Sequence, residues 1–136
     1  MSLVIVSGQE GTDIEDLFRR VISENGYEYE SASKMVFPEY SQFLRHPRTL
    51  YNHIRAMVKE HIEQDKDLFI LTFSDYVMYG VRAEVKKNCF DEAVVHILKS
   101  DGEDVISSID SNTSKYDFVK GTFDVMSDAL DEILGW

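Results

Sequence analysis

Residues 68–75, Leu68-Phe69-Ile70-Leu71-Thr72-Phe73-Ser74-Asp75, join a short unbroken apolar run to a pair of helix-capping residues. An apolar run of this length without polar alternation is the pattern of a strand covered on both faces, so it predicts a place near the centre of a sheet. Ser74 or Asp75 then caps a helix that turns Val77, Val81 and Val85 inward and Arg82, Lys86 and Lys87 outward, with Asn88 as its stop. A buried strand leading directly into an amphipathic helix is the building unit of a parallel α/β sheet.

The same alternation extends in both directions. Upstream, from Arg48 to about Lys66, the residues Leu50, Ile54, Met57, Val58, His61 and Ile62 share one helical face, with Pro47 at the first turn. On the opposite side, Arg48, Arg55, Lys59 and Lys66 follow at intervals of 7, 4 and 7 residues. At about 100° per residue this spacing predicts a basic ridge. Lys34-Met35-Val36-Phe37 reads as a short strand closed by Pro38. Leu3-Val4-Ile5-Val6, closed by Ser7-Gly8, reads as another buried strand. It precedes a helix with Ile14, Leu17, Phe18, Val21 and Ile22 on its core face, Thr12 and Glu15 as a capping box, and Gly26 as its stop. Downstream, Ala93 to Leu98 and Val105 to Ile109 flank the turn Ser100-Asp101-Gly102-Glu103, which predicts a hairpin. Phe123, Met126, Leu130, Ile133 and Leu134 define a last amphipathic helix. The expected fold is α/β: a layered mixed sheet, mainly parallel, with an antiparallel hairpin at its edge and helices flanking it.

The chain's 136 residues suit a single domain spanning 1–136. Its 14 basic and 25 acidic residues give a net charge of -11, which repels nucleic-acid phosphates and anionic lipid, so neither direct nucleic-acid binding nor a membrane surface is expected. The lone Cys89 excludes an internal disulfide, and the opening Met1-Ser2-Leu3-Val4-Ile5-Val6-Ser7-Gly8 lacks the basic start of a signal peptide, so a cytoplasmic protein is expected.

Chemistry is sparse. Ser7-Gly8-Gln9-Glu10-Gly11-Thr12-Asp13 stands between strand and helix, where a phosphate-binding loop would stand. It carries no lysine, and Glu10, Asp13, Glu15 and Asp16 oppose phosphate, which leaves an ordinary capped turn as the expectation. His53 and His61, eight residues apart on a helix, are too distant to share a metal ion, and no metal site or cofactor is expected. Cys89 follows Lys86 and Lys87 but has no base beside it in sequence, so a packed, unreactive thiol is expected. Ser74 and Asp75 are accounted for by helix capping.

Pro38-Glu39, His46-Pro47 and Phe69-Ile70-Leu71-Thr72-Phe73-Ser74-Asp75-Tyr76-Val77 together resemble the second half of prokaryotic ABC-type ATPases of the OLD-like kind. The resemblance continues through the hairpin to Asp117-Phe118-Val119-Lys120-Gly121-Thr122-Phe123-Asp124. It implies an α/β ATPase-like scaffold over roughly residues 34–136. It also implies lost catalysis: the family's water-activating acidic pair falls at Val36 and Phe37, its phosphate-sensing histidine at Phe73, and its phosphate-loop lysine is missing. Phosphoryl transfer without charge neutralisation and water positioning loses most of its rate.

The expected function is therefore a non-catalytic module that binds and regulates a protein partner, an ABC-type ATPase being the candidate the resemblance suggests. Arg48, Arg55, Lys59 and Lys66, with the segment holding Ser74, Asp75 and Arg82, are the candidate docking residues. The alternative is an acidic mimic that blocks a nucleic-acid-binding protein. Residues 100–136 carry nine acids against Lys115 and Lys120, and Asp124, Asp128, Asp131 and Glu132 share the solvent side of the last predicted helix. Either reading is compatible with a homo-oligomer.

Overall fold

The computed structural model describes residues 1–9, 11–28, 46–111 and 132–134, with the backbone of residues 36 and 37. Its elements are β1 (Leu3–Gly8), α1 (Glu15–Glu24), β2 (Val36–Phe37), α2 (Pro47–Gln64), β3 (Leu68–Leu71), α3 (Asp75–Lys87), β4 (Ala93–Leu98) and β5 (Asp104–Ile109). They form one sheet in the order β2-β3-β1-β4-β5, parallel except for β5, which runs antiparallel to β4. The fold is the α/β class that the alternation predicts. Strand β3 is buried on both faces, and β1 holds the middle position beside it.

The connection from β1 to β2 travels one way along the sheet, whereas those from β2 to β3 and from β3 to β4 travel the other. Right-handed crossovers then put α1 on one face and α2 with α3 on the opposite face. The cores divide accordingly. Val4, Val6, Phe69 and Leu71 pack under Leu17, Phe18, Val21 and Ile22 of α1. Leu3, Ile5, Leu68 and Ile70 pack under Leu50, Ile54 and Val58 of α2 and Val77, Val81 and Val85 of α3. The hairpin from β4 to β5 turns at Gly102, whose φ of 91° is in the left-handed region that glycine adopts without strain.

Three local expectations are corrected. The Thr12–Glu15 capping box does not form, because the Thr12 hydroxyl donates to the Gln9 carbonyl at 2.7 Å and closes the β1–α1 turn; Asp13 Oδ1 instead accepts from the Glu15 amide at 3.2 Å. Cys89 is exposed rather than packed, at a φ of 50°. Ile133 and Leu134, expected on an inward stripe, are exposed, and the rest of that predicted helix is outside the described residues.

The sheet end opposite the helix-entry edge is clasped by Asp67. Its carboxylate accepts from Tyr27 Oη and from the Ser2 amide, both at 2.6 Å, and the Tyr27 ring meets Phe69 edge-on. The Tyr27 and Ser2 hydrogen bonds favour the carboxylate and hold Asp67 below the usual aspartate range. A depressed folded pKa contributes stability that is present above the unfolded value, about 3.9, and is lost as pH falls through the folded one. Asp67→Ala is therefore expected to cost about 1–2 kcal/mol at pH 7. The gap between variant and wild type in urea denaturation should narrow below about pH 4; a gap independent of pH would remove Asp67 from this role.

Candidate functional site

The four parallel strands end at one edge of the sheet, and α2 and α3 begin there. In open α/β sheets ligands bind at this edge, where successive connections leave for opposite faces. Here that place lies between β1, which feeds α1, and β3, which feeds α3. The chain itself closes it. Gln9 donates its amide to the Leu98 carbonyl at 2.9 Å and accepts the Ser100 amide at 2.8 Å, tying the β1–α1 turn to the end of β4. A side chain at Gly8 would overlap Thr12 and Ile14. Beneath the turn, Thr72 Oγ1 accepts the Ser74 amide at 2.9 Å. Ser7 is fully buried, and its hydroxyl has no hydrogen-bond partner among the described residues. Ser7→Ala is accordingly expected to leave stability within about 1 kcal/mol of wild type or raise it, as thermal denaturation would show.

The open surface of this edge lies between the first turns of α2 and α3. A cavity of about 380 Å³ is lined there by His46, Pro47, Arg48, Tyr51 and Tyr76. His46 caps α2 by accepting the Arg48 amide on Nδ1 at 3.1 Å, and Pro47 supplies the fixed φ of the first helical turn. The Arg48 guanidinium lies 5.9 Å from the Tyr51 ring centre, and Arg55, one turn further on, lies 5.4 Å from it. Arg55 also donates to Tyr51 Oη at 3.3 Å and, through Nε, to Glu84 Oε1 of α3 at 2.8 Å. The Glu84 hydrogen bond raises the Arg55 pKa further above its already high range. On α3, Tyr76 and Tyr79 are 37% and 40% exposed, and Phe73, just before the helix, is 40% exposed. Three large aromatic groups are thus exposed on and just before α3, and one of them, Tyr76, lines the cavity with Arg48.

The sequence-predicted docking residues separate into different environments. Arg48 lines the cavity and has no ion-pair partner among the described residues. Along α2 the predicted stripe differs in its partners: Arg55 pairs with Glu84 of α3 at 2.8 Å, and Lys59 approaches Glu63 at 3.9 Å. Lys66 falls beyond α2, which ends in a left-handed Asp65, and lines a second cavity of about 520 Å³ with His53, Glu60 and His61. Ser74 is the cap of α3, accepting the Val77 amide at 3.4 Å, Asp75 opens the helix and Arg82 is half-buried on it. Of the acidic face, Asp124, Asp128 and Asp131 lie outside the described residues, and Glu132 is exposed. Tyr51, Tyr76 and Tyr79 escaped the sequence reading. Tyr76 and Tyr79 at i and i+3 in a helix whose valines face inward was the signal available for an exposed aromatic stripe.

No group of three or more His, Cys, Asp or Glu placed to hold a metal ion occurs among the described residues. No helix among them is long and apolar enough to cross a membrane. No family model, curated protein or solved structure matches the chain. Fold and site together define an α/β protein with a basic, aromatic cleft between two helices at the carboxyl edge of its sheet.

Proposed function

We propose that the chain is a non-catalytic, ATPase-like module that binds and regulates a protein partner through the α2–α3 surface, with an ABC-type ATPase as the first partner to test. The observation that carries this reading is the exposure of Phe73, Tyr76 and Tyr79 on and just before α3, with Tyr76 lining the same cavity as Arg48. Exposed aromatic groups together with arginine are the composition of protein-binding hot spots. Topology supports the ATPase-like part. The positions that correspond to the family's acidic pair, Val36 and Phe37, form β2, and the one that corresponds to its histidine, Phe73, stands two residues beyond the end of the neighbouring strand β3; both strands run parallel to β1. The residues there are apolar, which fits a relative that has lost the groups for phosphoryl transfer.

The test is titration of a purified OLD-like ATPase with this chain. A saturable change in ATP turnover that disappears with Tyr79→Glu is the expected result. Unchanged turnover together with no complex on size-exclusion chromatography would overturn the reading, as would magnesium-dependent ATP hydrolysis by the chain alone.

A further inference from the structure

We propose that the α2–α3 cavity seats an acidic, apolar peptide segment of the partner: one carboxylate on Arg48 and a neighbouring apolar side chain between Tyr51 and Tyr76. This rests on the reading of the chain as an interaction module and specifies what it recognises.

The first argument is charge. Among the described residues, the cavity lining contains one arginine and no acid. Of the other described cations on α2, Arg55 is paired with Glu84 at 2.8 Å and Lys59 approaches Glu63 at 3.9 Å. The Arg48 guanidinium suits a carboxylate, which it pairs with in a planar, two-point fork. A phosphate dianion needs further donors, and one amide at each of the two helix starts is already taken. The Arg48 amide is held by His46 and the Val77 amide by Ser74. A nucleic-acid strand would extend past the cavity into the field of a chain with net charge -11, whereas a short acidic segment meets only the local charge.

The second argument is shape and preorganisation. Tyr51 is held by Arg55 through both a hydrogen bond and a ring contact, so the wall of the cavity is fixed before a ligand arrives. Arg48 lies over the same ring, which restricts its guanidinium. The volume of about 380 Å³ accommodates one or two side chains rather than a folded element. Tyr79 and Phe73 supply apolar surface beyond the cavity for residues flanking the anchor.

The test measures fluorescence anisotropy of short fluorescein-labelled peptides that alternate acidic and large apolar residues, titrated with the full chain. A matched peptide set with every acid replaced by its amide serves as control. Saturable binding is expected, weakened on the order of tenfold or more by the amide control and by Arg48→Glu. Tyr76→Ala is expected to weaken it on the order of fivefold, with circular dichroism showing each variant folded. Binding unaffected by Arg48→Glu and Tyr76→Ala, or no saturable binding to wild type, would overturn the cavity assignment. If the ATPase still responds to the chain in that case, the module reading stands without it. Arg48-dependent binding of oligo-deoxythymidine in preference to the acidic peptide would overturn both.

Discussion

Arg55→Met is expected to destabilise the protein by about 3–5 kcal/mol, because it removes one member of an ion pair whose other member is buried. Glu84 is 3% exposed, and its carboxylate touches Arg55 at 2.8 Å on one oxygen and the Asn88 side-chain amide at 2.8 Å on the other. Asn88 alone cannot neutralise the charge that remains. The pair itself need not contribute strongly to stability, since burying two charges costs about what their attraction returns. Arg55→Met combined with Glu84→Leu should therefore recover most of the loss. Urea denaturation of the four members of this cycle measures the coupling. A loss below about 1 kcal/mol for Arg55→Met would mean that solvent reaches Glu84 in the folded protein.

The same pair shows where a sequence-based reading reaches its limit. Periodicity assigns each helix one core face and one solvent face, and by that rule Arg55 and Arg48 fall on the same outer stripe. Helix α2 has two neighbours, the sheet below and α3 beside it, so the residues at the border of its apolar stripe become interhelical. Arg55 meets Glu84, 29 residues away, and no local pattern foretells that meeting. Lys66 left the stripe for a different reason. Helix α2 stops at Asp65, which adopts a φ of 53° and accepts an ion pair from the Met1 ammonium; without a glycine there, the stop carried no local signal.

Where the determinants were local, the sequence was legible. The apolar run at Leu68, the cap at Ser74, the stop at Asn88 and the turn at Gly102 all act within a few residues, and each is found where the pattern placed it. The layered, mainly parallel sheet follows from the alternation of such units. The candidate site was only half legible for the same reason: Arg48 was visible as a charge on a stripe, but the cavity needs Tyr51 from one helix and Tyr76 from another, and their juxtaposition depends on how closely α2 approaches α3.

Gly80 sets that approach, and its replacement is the second large effect expected. In an open helix interior, Gly→Ala stabilises by about 1 kcal/mol. Here the sign is expected to reverse. A Cβ at Gly80 would overlap Ile54 Cγ2 and come within 3.2 Å of the Tyr51 carbonyl oxygen. The isoleucine methyl can rotate away, but the carbonyl is helix backbone and yields only if α2 moves as a body. Overpacking of this kind costs about 1–3 kcal/mol for alanine, and Gly80→Val, with a branched Cβ, should cost about 3 kcal/mol or more. Because Tyr51 rides on the displaced helix and Tyr76 precedes Gly80 by one turn of α3, the wedge also alters the cavity. Gly80→Ala should therefore fold, melt at lower temperature, and bind the acidic peptide more weakly than wild type although it alters no residue lining the cavity. A rise in melting temperature, with peptide binding unchanged, would show that helix propensity outweighs the contact and that the spacing of α2 and α3 is set elsewhere.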